Sequence, residues 1–265
     1  MTLNERSQPV RFGICTKLET ADAVKEARWD FVEENAQGLF RGLEASWAGQ
    51  VRVMTSALPI PSANTLVPGS LKITGPDANL ERLREYMTRV LERANQVGTK
   101  ILVFGSGGAR NVPDGFDREK AKQQVLDFVK MVAPIAQKNG VTIVAEPLNK
   151  QECNILNTVA EAMEYVRAIN HPNFKCLVDS YHLWMENEPV ANVVENLSFM
   201  KHVHLADKDG RVAPGLSGTA DYRPLFKALK AGKYEGLISV EALDFDIQKD
   251  GKRVLEFVQK QWNES

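Results

Sequence analysis

Residues 141–146 read VTIVAE, and this stretch shows the pattern on which the predicted fold depends. The run is apolar or β-branched on both faces until it ends in a carboxylate, Glu146. A parallel strand that is buried on both faces has a continuous apolar sequence of this kind. The charged residue at its end therefore needs an explanation of its own.

Similar short runs recur along the chain, and amphipathic helical stretches separate nearly all of them. The predicted strands are 10–15, 29–34, 51–57, 100–106, 141–146, 175–180, 200–206 and 237–243. The predicted helices, which follow the 3.6-residue period, are 80–97, 119–138, 158–169, 189–197, 222–231 and 248–262.

Eight strand-then-helix units with no linker between them predict a single-domain (β/α)₈ TIM barrel that spans residues 1–265. Residues 1–9 are predicted to form a flexible N-terminal tail. An open, doubly wound parallel sheet is the structural alternative.

The composition is that of a globular protein, with 43% hydrophobic and 25% charged residues among 265. The net charge of −1 argues against nucleic acid or an anionic membrane as a partner. No apolar stretch approaches the roughly 20 residues that span a bilayer, and the N-terminus lacks a signal core. Cys15, Cys153 and Cys176 are far apart and form no C-x-x-C, which favours a reducing cytoplasm.

Four consecutive predicted strands end in groups that bind metals or protons, namely Glu146, Asp179, His204 and Glu241. The carboxyl ends of the strands of a TIM barrel face one mouth, so these side chains should meet in a small volume. One carboxylate at a strand end is commonly a solvated residue or a helix cap, and two can belong to an ion pair. Three clustered carboxylates with almost no Lys or Arg at the strand ends would repel one another unless a cation lay among them.

Oxygen ligands with one imidazole suit Mn²⁺ best, while Mg²⁺, Co²⁺ and Zn²⁺ are also compatible. His202 and His204 lie on the same face of one strand, and His204 is nearer its carboxyl end. We therefore predict His204 as the ligand and His202 as a deeper, hydrogen-bonded group. His182, three residues after Asp179, is predicted to contact the substrate.

The segments EPLNKQECNILNT, VDSYH, HVHLADKDGR and SVEA together resemble the sugar phosphate isomerase/epimerase superfamily of xylose-isomerase-like barrels. Within it the chain is most similar to the ketose 3-epimerases of the tagatose and psicose type. The resemblance spans nearly the whole chain and is strongest from residue 141 onward.

The resemblance implies one divalent metal on Glu146, Asp179, His204 and Glu241, and it implies that Glu146 and Glu241 are the acid/base pair. A ketose or keto-sugar would then be epimerised or isomerised through a metal-stabilised cis-enediolate. The family also implies substrate contacts for Glu152 and His182. In the epimerases an Arg follows the metal-binding His by six residues; here that position is Gly210, and Arg211 comes one residue later.

The metal ligands alone leave the reaction open, because an enediolate can also expel a neighbouring oxygen. A lyase or dehydratase acting on a keto-sugar, keto-inositol or 3-keto-glycoside is therefore the main alternative. Lys208, Arg211 and Trp184 are expected to line the pocket and help to select the reaction, although Trp184 is equally compatible with packing. Similarity to such barrels also suggests a homodimer or homotetramer.

Two remote alternatives remain at this stage: a nuclease resembling endonuclease IV and a barrel that binds sugar without catalysis. The nucleases use three zinc ions and more histidines than the 4 present here. An opposed pair of carboxylates argues weakly against a purely binding role.

Three weaker signals concern single segments. GSGGAR at 105–110 lacks the Lys-Ser/Thr of a P-loop and is better explained as a tight turn than as a phosphate cradle. Glu33 is compatible with either a pocket position or an ion pair. Cys15 is predicted to be a small packing residue, because no basic partner is evident.

Overall fold

The computed structural model describes residues 10–243 and 245–265, so the predicted tail at 1–9 lies outside the described residues. Its sheet is a closed barrel in which neighbouring strands in sequence pair in parallel and β8 pairs with β1. The strands are β1 (Arg11–Cys15), β2 (Phe31–Asn35), β3 (Ser62–Asn64), β4 (Ile101–Phe104), β5 (Thr142–Ala145), β6 (Phe174–Asp179), β7 (Met200–Leu205) and β8 (Leu237–Val240). The predicted single TIM barrel domain is confirmed.

The helices surround the barrel and bury their apolar sides against the strands. They are α1 (Ala21–Glu26), α2 (Ala36–Phe40), α3 (Gly49–Met54), α4 (Leu80–Val97), α5 (Gly107–Arg110), α6 (Arg118–Lys138), α7 (Val159–Ile169), α8 (Ser180–Met185), α9 (Ala191–Val194), α10 (Arg223–Ala231) and α11 (Ile247–Asn263), with 3₁₀ turns at Leu18–Thr20 and Leu197–Phe199. The bounds of α4 are those that the periodicity predicts. The helix predicted at 189–197 is instead divided into α9 and a 3₁₀ turn.

The strand predicted at 51–57 is wrong, because most of that segment lies in or beside helix α3. Two of its apolar side chains are exposed, Val51 by 67% and Met54 by 69%. The third strand is the fully buried Ser62–Asn64, whose three residues contain no apolar run. Hydrophobic patterning therefore favoured the wrong segment between β2 and β4.

The interior of the barrel differs in polarity from side to side. Val103, Val144 and Leu177, on β4 to β6, pack in a small apolar cluster of their own. Glu33 of β2 contacts His202 of β7, although β1 and β8 separate these two strands in the sheet. Their contact therefore crosses the inside of the barrel, directly beneath the mouth.

One close approach inside the sheet requires glycine. A Cβ atom at Gly13 of β1 would clash with the ring of Phe31 on the neighbouring strand β2. The ring occupies the space that a side chain at position 13 would need.

Among the described residues, no helix has both the length and the hydrophobicity of a bilayer-spanning segment. The three cysteines are free, with Cys153 and Cys176 buried and Cys15 partly exposed.

Candidate metal and sugar site

The four predicted metal ligands meet at the carboxyl ends of β5 to β8. One potential ligand atom from each of Glu146, Asp179, His204 and Glu241 lies within 4.8 Å of the others. Parallel pairing places Asp179 of β6 beside His204 of β7, while Glu146 and Glu241 directly follow β5 and β8. The barrel mouth thus gathers residues that are far apart in sequence.

The donor atoms of this cluster fit a divalent cation. Asp179 accepts the backbone N–H groups of Tyr181 and His182 with Oδ1, whereas its buried Oδ2 has no hydrogen-bond partner in the described part of the chain. A buried carboxylate oxygen without a donor is costly unless something else compensates its charge. A hard cation among three carboxylates and an imidazole would supply that compensation.

Each ring nitrogen of His204 lies near side chains that could bind a metal ion together with it. Nδ1 lies 3.0 Å from Oε1 of Glu146 and 3.5 Å from Oε2 of Glu241. Nε2 lies 2.9 Å from Oε1 of Glu33 and 4.0 Å from the thiol of Cys15, which form a second possible ligand group with it. The Nδ1 side, with Glu146 and Glu241, fits a cation better than the Nε2 side. On the Nε2 side, the oxygens of Glu33 already accept hydrogen bonds from other residues.

Glu33 is fully buried and lies at the centre of a hydrogen-bond network below the cluster. Its Oε2 accepts the hydroxyls of Ser62 and Ser239 at 2.7 Å each and lies 2.6 Å from Nε2 of His202. The other nitrogen of His202 donates to the carbonyl oxygen of Leu237 at 3.0 Å. His202 is thus a buried, hydrogen-bonded residue below His204, as its depth in the strand predicts.

The carboxylates of the site differ in their electrostatic surroundings. Burial and the charge of Glu241 raise the pKa of Glu146. Burial alone would raise the pKa of Glu241 as well, but His204 and Arg211 outweigh it and lower that pKa. His202 and His204 likewise overcome burial and hold the pKa of Glu33 well below its ordinary value. Without a cation, therefore, the charged form is less favoured at Glu146 than at Glu241 or Glu33.

Arg211 joins two of the predicted functional carboxylates. Its Nη2 donates to Oε2 of Glu241 at 2.8 Å, and its Nη1 donates to Oε1 of Glu152 at 3.1 Å. Its guanidinium also lies 4.9 Å from the ring centre of Tyr181. The one-residue displacement of Arg211 along the chain does not keep its side chain away from the site.

The loop that follows Arg211 is organised by the buried carboxylate of Asp207. This carboxylate accepts the backbone N–H groups of Gly215 and Ser217 and the hydroxyl of Tyr222. Gly215 has φ = 82°, in the left-handed region that glycine adopts without strain. The glycine-rich loop that follows Arg211 therefore folds around Asp207.

His182 is buried and has one free nitrogen. Its Nδ1 accepts the backbone N–H of Asn149 at 3.2 Å, which leaves the proton of a neutral ring on Nε2. Nε2 is buried, and no acceptor for it exists among the residues the structure describes. A donor of this kind is available to an oxygen of a bound ligand.

Two further predicted substrate contacts have partners outside the four-ligand cluster. Lys208 is exposed, and its Nζ is 3.4 Å from Oδ1 of Asn187. Trp184 is partly buried and packs its ring on Tyr222, with ring centres 5.1 Å apart. Trp184 thus makes a packing contact, and its contact with a substrate stays a prediction.

Three residues that the sequence analysis did not assign to the site support Glu146 or Glu241. Asn64 donates Nδ2 to Oε1 of Glu241 at 2.8 Å, and the fully buried Arg110 donates to the carbonyl oxygen of Glu146 at 2.7 Å. Gly105 leaves space for Glu146, because a Cβ there would clash with Oε2 of that residue. The GSGGAR segment leads into helix α5 and supports Glu146, which fits the tight-turn interpretation.

Two cavities open beside the cluster. The first, which we name the reaction chamber, has a volume of about 500 Å³ and is lined by Glu146, Glu152, Arg211, Glu241 and Gly108, among others. The second, which we name the side chamber, has a volume of about 580 Å³ and lies over β1 to β3. Glu241 and Thr65 line both.

A model of the xylose isomerase-like TIM barrel family matches residues 21–260. The chain belongs to this family. Membership agrees with the closed barrel and with the predicted resemblance to sugar epimerases.

The relatives within this family include sugar epimerases. The chain is 28% identical over 231 residues to 3-dehydro-D-guloside 4-epimerase of Escherichia coli, a match that covers 84% of this chain and 86% of the relative. It is also 28% identical to a probable ketose 3-epimerase of Synechocystis, over 69% of this chain and 64% of that protein. The chain thus spans slightly less than two thirds of the latter.

A solved structure of 3-keto-D-glucoside 4-epimerase from E. coli superimposes with a TM-score of 0.80. The superposition covers 95% of this chain and 99% of that one, at 23% sequence identity. At this identity the likeness establishes a common fold.

Proposed function

We propose that this protein is a divalent-metal-dependent epimerase that inverts a carbon next to the ketone of a keto-sugar. The main support is the buried cluster in which Glu146 and Glu241 lie together with Asp179 and His204. Two of its relatives, 3-dehydro-D-guloside 4-epimerase and a probable ketose 3-epimerase, are sugar epimerases by name, which favours inversion over elimination of a leaving group.

The proposed acid/base residues come from opposite ends of the ligand set. Glu146 follows β5 and Glu241 follows β8, with β6 and β7 between them in the barrel. A sugar bound between two such carboxylates can lose a proton to one of them and regain a proton from the other on its opposite face. The carbon is then inverted, and the two carboxylates have exchanged protonation states.

A divalent ion held by Glu146, Asp179, His204 and Glu241 would polarise the ketone and acidify the neighbouring C–H bond. The oxygen-rich donor set favours Mn²⁺ over softer ions.

Neighbouring residues are proposed to orient the sugar. Arg211 holds Glu152 and Glu241 at the edge of the reaction chamber and offers a fixed positive charge there. His182 offers its buried Nε2–H to a ligand oxygen. Fixed donors and acceptors of this kind align the hydroxyl groups of a sugar with the reacting carbon.

The experiment that tests this function is a screen of free ketoses and keto-glycosides in D₂O with the Mn²⁺-loaded protein. Proton NMR follows loss of the C–H signal next to the ketone and appearance of the epimer. We expect exchange and inversion at one carbon. Elimination of a substituent in place of inversion would assign the protein to the lyase class.

A further inference from the structure

The side chamber extends the barrel mouth beyond the space that the reacting sugar needs. Its volume of about 580 Å³ and the about 500 Å³ of the reaction chamber each match the size of a small-molecule pocket, about 300–1,000 Å³. A monosaccharide seated against Glu146 and Glu241 would occupy the reaction chamber and leave the side chamber to another group.

The two chambers meet at a catalytic candidate. Glu241 lines both, and Asn64, which lines the side chamber, donates to Oε1 of Glu241 at 2.8 Å. Thr65 and Glu241 thus belong to the walls of both chambers. A group in the side chamber therefore lies beside a sugar that reacts at Glu241.

The walls of the side chamber are polar but balanced in charge. Arg52 lies 2.6 Å from Oε1 of Glu19 and 3.7 Å from Oε1 of Glu34. Glu34 also accepts the backbone N–H of Leu18 at 3.1 Å. Lys17 supplies the other cation among the lining residues, so two cations face the carboxylates of Glu19 and Glu34, while the carboxylate of Glu241 is paired with Arg211.

The deeper charge of the chamber is also compensated. Glu33 lies at its base, but its oxygens are taken up by two histidines and two serine hydroxyls. A phosphate group would need uncompensated cations or convergent N–H donors. These walls fit an uncharged unit that is rich in hydroxyl groups.

We propose that the side chamber binds a second, uncharged glycosyl unit, so that the substrate is a keto-glycoside rather than a free or phosphorylated ketose. This inference rests on the proposed epimerase function and adds a binding subsite to it. The keto-sugar occupies the reaction chamber, and its O-linked partner lies against Arg52, Asn35 and Lys17.

Gly38 provides a way to fill the side chamber selectively. It lines the chamber from helix α2, and a Cβ at this position would meet no atom within 4 Å. Gly38→Phe therefore introduces a ring without a clash at its first carbon. Gly108→Phe is the matched variant, because Gly108 lines the reaction chamber and a Cβ there meets only Gly69, at an ordinary contact distance of 3.5 Å.

The test compares three substrates with the Mn²⁺-loaded protein: a 3-keto-disaccharide, its free 3-keto-hexose and the 6-phosphate of that hexose. We expect kcat/KM for the disaccharide to exceed that for the free hexose by about tenfold or more. One or two additional hydrogen bonds to the second glycosyl unit would produce a difference of this size. Gly38→Phe should remove this advantage and leave kcat/KM for the free hexose within about twofold of the wild-type value. Gly108→Phe should slow both substrates.

Several outcomes would overturn the proposal. Equal kcat/KM for disaccharide and free hexose would contradict it while leaving the epimerase function intact. The same holds if Gly38→Phe lowers kcat/KM for both substrates by the same factor. Preference for the phosphate would instead indicate an anion site at Lys17 and Arg52. If Gly38→Phe does not fold, Lys17→Ala with Arg52→Ala makes the same comparison. Failure of every keto-sugar to exchange its proton would overturn the epimerase function and the subsite together.

Discussion

Nε2 of His204 lies 2.9 Å from Oε1 of Glu33, on the side of the ring that faces away from the cluster of carboxylates. A carboxylate accepts a hydrogen bond and does not donate one, so Glu33 keeps the proton of a neutral His204 on Nε2. Nδ1 is then free to bind a cation. Carboxylates that orient a metal-binding histidine in this way usually contribute strongly to metal affinity.

Glu33→Gln should therefore weaken Mn²⁺ binding by about 10–100-fold. The amide is similar in shape but no longer carries the charge that holds both histidines. Isothermal titration calorimetry of the metal-free protein measures the change, and the absorption spectrum of the Co²⁺ form reports the geometry of the site. Ser62→Ala is the control, because Ser62 contacts Glu33 but not His204. An unchanged Kd in Glu33→Gln would show that Glu33 does not act through His204.

Glu241→Gln should lower turnover by about 10²–10⁴-fold with the fold intact, because an amide cannot carry a proton to or from the sugar. The measurement is NMR-detected epimerisation at saturating Mn²⁺, with circular dichroism as a check on folding. Glu256→Gln, an exposed residue paired with Lys252 on helix α11, is the matched control. Turnover near that of the control would refute the acid/base role of Glu241.

Metal affinity should rise with pH. Burial and Glu241 raise the pKa of Glu146; burial lowers the pKa of His204, but Glu33 and Glu241 outweigh it and raise that pKa well above its ordinary value. Both groups must lose their protons when an ion binds, so protons compete with the metal at pH values below these pKa values. The Kd for Mn²⁺ should then fall by about tenfold per pH unit for each proton released.

Calorimetric titrations in buffers with different ionisation enthalpies count these protons directly. We expect net proton release on Mn²⁺ binding, and Glu146→Gln should release fewer protons than the wild type. Binding without proton release would contradict the electrostatic description. An affinity for Mn²⁺ that falls as the pH rises from about 5 to about 8 would contradict it as well.

Gly105→Ala should disturb the site more than the fold. Its Cβ would clash with Oε2 of Glu146, so the carboxylate must rotate away from the cluster. We expect weaker Mn²⁺ binding and slower turnover. Gly69→Ala is the control, since a Cβ there meets Gly108 only at ordinary contact distances of about 3.5 Å. Equal metal affinity in the two variants would mean that Glu146 needs no space from Gly105.

The sequence predicts most of the barrel because seven of its strands are apolar runs and their helices have a regular period. The exception is β3, where Ser62–Asn64 is too short and too polar to produce a hydrophobic pattern. This error also hid Asn64, whose place at the end of β3 brings it to Glu241.

The candidate metal ligands are predictable because each ends a strand, and a barrel brings strand ends together. The environment of Glu33 is not predictable in the same way. Ser62 lies on the neighbouring strand β3, but the other partners of Glu33 belong to β7 and β8, and only the closed barrel brings these two strands to β2 across the interior. The contacts of Lys208 with Asn187 and of Trp184 with Tyr222 are likewise not predictable from the sequence, because the partners lie on other segments of the chain.

The most direct test of the proposed metal-dependent epimerase is a titration of turnover with metal. The protein is freed of metal with a chelator, Mn²⁺ is added back in steps, and inversion of a keto-sugar is followed by NMR while bound metal is counted. The proposal predicts no inversion in the metal-free protein and a rate that saturates at one ion per chain. Full activity without metal, or saturation at three ions per chain, would contradict it.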